Sequence, residues 1–205
     1  MITPIDLTEQ ERQYLLRVAA NAIRFQLARS AGGSRSVVCV FDEKTASLAA
    51  RAGVFVTLER DDRLLGCIGS LEPTDSLVMA VHRHAIAAAF ADPRLPDVTY
   101  DDFVEMSIKV SVLSELEPVD ASSRDELAGA LRPGVDGVLV TAGRRRATLL
   151  PAVWEKVHDV DEFLDALWAK AALAPGSWPD GVSVQRYETD EFADYGPRAA
   201  VVRER

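Results

Sequence analysis

Two hydrophobic periods share this chain. Tyr14, Leu15, Val18, Ala19, Ala22, Ile23 and Leu27 recur at helical spacing, while Gln13, Arg17 and Arg24 fall mostly elsewhere. Asp6 or Thr8 can cap this helix, Glu9 and Glu11 suit its first turn, and Ala31-Gly32-Gly33 ends it. Val37 to Phe41 is a short apolar run without alternation, either a strand or an extended segment on the core. Ala46 to Ala52 reads as a short helix, closed by Gly53. The period then changes to two. Val54, Val56 and Leu58 point one way and Phe55, Thr57 and Glu59 the other. Arg60-Asp61-Asp62-Arg63 is a charged turn into a second strand. There Leu65, Cys67, Gly69 and Leu71 are expected on one face, and Leu64, Gly66, Ile68 and Ser70 on the other.

Thr74 or Asp75 is expected to cap a helix over 76–91, apolar on two sides and stopped by Asp92-Pro93-Arg94-Leu95-Pro96. Asp101-Asp102 opens a helical turn. Val104, Met106, Ile108, Val110 and Val112 then alternate with Glu105, Ser107, Lys109 and Ser111, the pattern of an antiparallel sheet with one buried face. A short helix over 124–131 precedes a hairpin of 135–140 and 147–150, with Arg144-Arg145-Arg146 at its tip or first residues. Pro151 suits the first turn of a helix, 161–172 forms another, and Val182 to Glu188 is a last strand. The pattern predicts one domain, and 196–205, with little pattern, reads as a frayed tail.

Composition narrows the classes. The net charge of −9 lacks the concentrated Lys and Arg that phosphate binding needs, so nucleic acid is not an expected partner. The start of the chain has acids where a signal peptide needs a basic segment and an apolar core. No apolar run approaches the ~18 residues of a spanning helix. A cytoplasmic, acidic, soluble protein is expected. With two cysteines, Cys39 and Cys67, and no Cys-x-x-Cys pair, neither a disulfide scaffold nor a metal site is expected, and no cofactor is implied.

Cys67 is the sharpest chemical candidate. Glycine weakens a strand interior, so Gly66 and Gly69 around Cys67-Ile68 need a bulge, a bend or a close approach to explain them. A bare backbone there would let a small ligand reach the thiol, with Gly66, Ile68, Gly69 and Glu72 lining the place. A free cysteine also packs as a small hydrophobe, and that reading stands beside the first. Asp136, before Gly137, is either an orienting carboxylate or a turn residue; beside a thiol it would raise the thiol's pKa. His82 and His84 are two apart on one helix, whereas a shared metal ion wants three or four residues of separation.

Leu65-Gly66-Cys67-Ile68-Gly69 with Leu71-Glu72-Pro73, Ala91-Asp92-Pro93-Arg94-Leu95-Pro96 and Ile108-Lys109-Val110-Ser111-Val112-Leu113 resemble the AMMECR domain family. The resemblance continues through Gly137-Val138-Leu139-Val140, Leu149-Leu150-Pro151 and Trp178, and implies a single domain over 6–192 with 193–205 as a C-terminal tail. It implies an α+β fold: a mixed, largely antiparallel sheet flanked by helices, with a larger and a smaller lobe and a cleft beside the Gly66–Gly69 strand. It implies no established activity. Bacterial and archaeal members are called protein A of the AmmeMemoRadiSam system, so it implies Memo-like and radical SAM proteins as partners. The chain departs from the family pattern at Leu65, where Arg is usual, at Asp136, where His is usual, and at Trp168, where Cys is common.

The leading functional expectation is a binding or adaptor protein that holds a small molecule or peptide beside Cys67. The alternative is an enzyme with Cys67 as nucleophile, acting on a small-molecule substrate. A third reading, an RNA-modification or translation-related factor, is opposed by the acidic charge.

Overall fold

The structure, a computed structural model, describes residues 5–30 and 45–198. The predicted run Val37–Phe41 with Cys39, and the helix stop at Ala31–Gly33, lie outside them. The chain divides into two compact units, one of residues 5–112 and 190 onward, the other of residues 113–189. The fold is α+β, with two four-stranded sheets.

The first unit opens with α1 (Glu9–Ser30). Of the two caps predicted, Thr8 serves. Its hydroxyl accepts from Glu11 N–H at 3.3 Å, and Glu11 accepts from Thr8 N–H at 2.8 Å. Leu15, Leu16, Ala19, Ala22 and Ile23 face the core. Next come α2 (Ala46–Ala49), then β1 (Val54–Arg60) and β2 (Arg63–Ser70), which pair antiparallel. Asp61 and Asp62 make the turn with positive φ of 50° and 59°, the conformation a two-residue hairpin needs and aspartate tolerates.

Helix α3 (Leu77–Phe90) packs against α1 and against β1 and β2. Ser76 is its N-cap residue, and neither Thr74 nor Asp75 fills that place; those two side chains bind Arg83 instead. A short helix, α4 (Tyr100–Glu105), takes Val104 and Glu105 out of the predicted strand. β3 (Ser107–Leu113) therefore starts later than its alternation suggests. β1 and β3 pair so that Val54, Val56 and Leu58 lie opposite Val112, Val110 and Ile108. All six are buried, each worth roughly 1.5–3 kcal/mol by removal from water.

The sheet order is β2-β1-β3-β8, with β8 at Thr189–Asp194. The boundary expected at 193 thus falls inside a strand. Arg198 lies beyond it, and its side chain bonds Asp194 and the carbonyls of Phe103 and Met106. Residues 193–198 are therefore tied down rather than a loose tail.

The second unit holds the sheet β4-β7-β5-β6. Its strands are β4 (Glu117–Pro118), β5 (Gly137–Ala142), β6 (Arg145–Leu149) and β7 (Ser183–Tyr187). Helices α5 (Arg124–Ala130) and α6 (Val160–Lys170) and a 3-10 helix (Pro151–Lys156) accompany them. Phe163, Leu164, Leu167 and Trp168 join Val138, Val140 and Val184 in its core. Trp154 stacks on Phe163 with centroids 3.9 Å apart. Among the described residues, no helix is long and apolar enough to cross a membrane.

Candidate functional site

Cys67 sits on β2, the outermost strand of the first sheet, half-buried and unpaired with any other cysteine. Its neighbours follow from one irregularity. The β1–β2 register runs Leu58↔Gly66 and then Glu59↔Leu64, so Leu65 is an extra residue, a bulge. The expected alternation reverses there: Leu65 turns into the core and Leu64 faces solvent. Leu65, one of the positions where the resemblance leads one to expect another residue, is thus a core position in this fold.

Beyond the bulge, Gly66 and Ile68 share the face of Leu58 and Val56, toward α3, and Cys67 and Gly69 take the opposite face. A Cβ on Gly66 would lie 1.9 Å from the carbonyl oxygen of Ala88 on α3. A Cβ on Gly69 would lie 2.3 Å from the Phe55 ring. The close approach expected of these glycines is therefore made by protein: a helix backbone at one and an aromatic ring at the other. Ile68 packs against the core cluster. As a ligand-contacting set, Gly66, Ile68 and Gly69 give way to packing.

The thiol's own face is different. Cys67 lies opposite Thr57, and Thr57 lies opposite Lys109. Thr57 Oγ1 donates to Cys67 Sγ at 3.3 Å. Lys109 Nζ is 3.2 Å from Glu191 Oε1 on β8, and Ser111 Oγ donates to Glu191 Oε2 at 2.9 Å. A row of thiol, hydroxyl, ammonium and carboxylate thus crosses all four strands. Lys109 and Glu191 are each about a third exposed, at 30% and 31%. Burial by itself would lower the Lys109 pKa, but Glu191, with Glu59 and Tyr195, outweighs it and raises the value.

A second pair grips Cys67 from the loop after α3. Asp92 Oδ2 accepts from Cys67 N–H at 3.0 Å, and Arg94 Nη2 donates to Cys67 O at 3.1 Å. Asp92 also accepts from Arg94 N–H, Nε and Nη2 at 3.1, 2.8 and 2.6 Å. The Arg94 fork holds the Asp92 carboxyl far below the usual range, with the Cys67 and Arg94 backbone N–H groups adding to it against burial. The Asp92 side chain is 2% exposed and that of Arg94 59%.

The other candidates fall elsewhere. Glu72 is exposed, in a turn that Ser70 closes by bonding Glu72 N–H and C=O. Asp136 belongs to the second unit and is fully buried. It takes Arg132 N–H at 2.8 Å and the Arg132 guanidinium at 2.5 Å, while its carbonyl receives Trp154 Nε1 at 2.7 Å. That bonding makes it an anchor of the turn before β5. Asp102 caps α4 through Thr99 and braces Arg60 and Arg63. His82 and His84 both have pKa values lowered by burial, and His158 caps toward Glu162 at the surface. Among the described residues, no three His, Cys, Asp or Glu side chains are grouped to hold a metal ion.

Sequence reasoning left Thr57, Lys109, Ser111, Glu191, Asp92 and Arg94 out of the site. Their sole signals were the polar side of β3 and a pair of opposite charges around Pro93.

Fold and surface together define an α+β protein of two antiparallel sheets, one of which carries a thiol in a polar row. The chain belongs to the AMMECR1 family, whose sequence profile matches residues 16–192. It is similar to a protein of Methanothermobacter thermautotrophicus, 36% identical over 192 residues, which are 93% of this chain and 97% of that one. It is also similar to Protein MK0488 of Methanopyrus kandleri, 37% identical over 207 residues, covering 97% and 95%. Among solved structures it is similar to the uncharacterized protein PH0010 of Pyrococcus horikoshii, with TM-score 0.83, 30% identity, and coverage of 94% and 96%.

Proposed function

We propose that this protein binds a small polar molecule on the sheet face that carries Cys67, with Thr57, Lys109 and Glu191 as its polar contacts and buried Ser111 holding Glu191 in place. The observation that carries this reading is the row itself. An ordinary wet sheet face has solvated, independent side chains; here hydroxyl meets thiol and ammonium meets carboxylate, in line across four strands. Such a line offers donors and acceptors to a ligand that bears both.

Binding fits better than nucleophilic catalysis. The partner of Cys67 Sγ is a hydroxyl donor, not a base. The nearby carboxylates are engaged: Asp92 by four hydrogen bonds, Glu191 by Lys109 and Ser111. An attacking thiol needs a base to take its proton or a cation to lower its pKa, and the two cations near this strand are each paired with a carboxylate, Lys109 with Glu191 and Arg94 with Asp92.

A crystallographic screen of small fragments, each with a donor and an acceptor, tests this. Fragments are expected to settle along Cys67, Thr57 and Lys109, and to be weakened by Lys109→Met and Thr57→Val. Fragments that bind only elsewhere on the protein would sink the reading.

A further inference from the structure

The Asp92–Arg94 pair is lopsided. Its acid is shut in, 2% exposed, with all its acceptor capacity turned to Cys67 N–H and Arg94. Its base stands out, 59% exposed. Nε and Nη2 are spent on Asp92 and Cys67 O, and no bond among the described residues uses Nη1. An ion pair so arranged is not electrically silent from outside: the solvent side meets a guanidinium edge and the carboxylate lies behind it. The guanidinium is also immobilised, since three of its bonds run to groups that the β2 backbone and the loop after α3 hold in place. An immobilised fork has already surrendered the freedom that binding an anion would cost. The 3.1 Å bond from Arg94 Nη2 to Cys67 O places the guanidinium beside the Cys67 residue, and the hydrogen bond to the Asp92 carboxylate is the main cause that raises the Arg94 pKa.

We infer that the exposed edge of Arg94 is an anion subsite beside Cys67, and that the ligand of this face carries a carboxylate which docks there. This rests on the reading of the Cys67 face as a binding surface and adds the charge class of its ligand. Two consequences follow. The ligand's carboxylate lies toward the outer edge of β2, and the atoms next to it lie over the thiol. Lys109, whose charge Glu191 offsets, is left to contact the uncharged polar part.

Two alkylating probes of nearly equal size separate charge from thiol reactivity. Iodoacetate and iodoacetamide both alkylate a thiolate: sulfur attacks the methylene carbon, a C–S bond forms, and iodide leaves with the electron pair. Their rate ratio at one thiol reports local potential, because the thiolate fraction cancels. The measurement uses the full chain in its folded state, with peptide mapping by mass spectrometry to separate Cys67 from Cys39. At low salt the iodoacetate/iodoacetamide ratio at Cys67 is expected to exceed that of a short neutral cysteine peptide. Arg94→Met is expected to lower it about fivefold, the size of one unit charge acting over a few ångströms of water. Arg94→Lys, which keeps the charge, is expected to retain most of it. If Arg94→Met does not fold, salt supplies the second test on the native chain: raising ionic strength to about 1 M must bring the ratio down to the peptide's value. A ratio equal to the peptide's at low salt, or one that salt or Arg94→Met leaves unchanged, overturns the anion subsite alone. A thiol that reacts with neither probe in the folded protein overturns both this inference and the binding surface beneath it.

Discussion

Gly66→Ala is the sharpest test of how this edge of the fold is built. The added methyl would stand 1.9 Å from Ala88 O, 2.8 Å from Ala88 C and 3.4 Å from Ala88 Cα. Bringing the first of these to an ordinary contact near 3.4 Å requires 3.4 − 1.9, or about 1.5 Å of separation between strand and helix. Neither side can give that cheaply. Helix α3 is held by buried Leu77, Val78, Val81, Ala85 and Ala88. β2 is held one residue later by Asp92 and Arg94. Overpacking of a close-packed core costs about 1–3 kcal/mol and sometimes more, and a backbone target puts this case at about 3. At roughly 2–4 °C per kcal/mol for a chain of this length, melting is expected to fall by about 6–12 °C. Gly129→Ala in α5 is the control. It has nothing within 4 Å of the added carbon and sits in a helix, where alanine gains about 0.8–1 kcal/mol. Thermal and urea unfolding of both variants, beside the parent, decide the matter. A Gly66→Ala protein within about 0.5 kcal/mol of the parent would refute the packing account and return the glycines to a functional explanation.

Asp92→Asn weakens the hydrogen bonds that a buried carboxylate takes from Cys67 and Arg94 and is expected to cost about 2 kcal/mol at neutral pH, the scale of charged hydrogen bonds, because Arg94 itself stays solvated. Because the folded Asp92 pKa lies far below its ordinary 3.8, the stabilisation is complete above 3.8 and is lost progressively as pH falls from there toward the lower folded value, so the gap between parent and variant should narrow steadily in acid urea melts. His84 is buried, and burial, with Arg83 and against Asp75, lowers its pKa below 6.5. The unfolded chain then takes up a proton first, so stability should fall as pH drops below 6.5. His84→Gln should flatten that slope, leaving the share of His82, which is shifted the same way. Arg198→Met removes bonds to Asp194 and to the Phe103 and Met106 carbonyls. It should destabilise the chain by about 2–3 kcal/mol in urea titrations, where loss of a loose end would cost nothing.

Much of this architecture was readable from residue pattern. The alternation of Ile108, Val110 and Val112 marked β3 and its inner face, and the apolar stripe of α1 marked its buried side. Two kinds of feature were not readable. The first depends on register. The bulge at Leu65 decides which side chains share a face, and no local pattern announces it; both leucines there are equally apolar. The second depends on distant pairing. Thr57, Lys109 and Glu191 become neighbours only when β1, β3 and β8 align, and β8, with Thr189, Asp190, Glu191, Phe192, Ala193 and Asp194, has too little alternation to be read as a strand. Asp92 and Arg94 were visible as a helix stop, because Pro93 dominates the local signal. Their reach back to Cys67 is a tertiary fact. Asp136 and the paired glycines show the opposite error: unusual residues drew a functional reading, where an arginine fork, a helix backbone and a phenyl ring account for them.

The outer rim of the first sheet ends on a strand whose main chain would otherwise welcome another. At Cys67 the amide hydrogen and the carbonyl oxygen that an incoming chain would need are both already taken, one by Asp92 and one by Arg94. Extending the sheet there means first pulling a shielded acid away from its base. Two side chains thus act as a stopper against strand-to-strand self-association, and a variant lacking them should reveal itself by aggregation as readily as by melting.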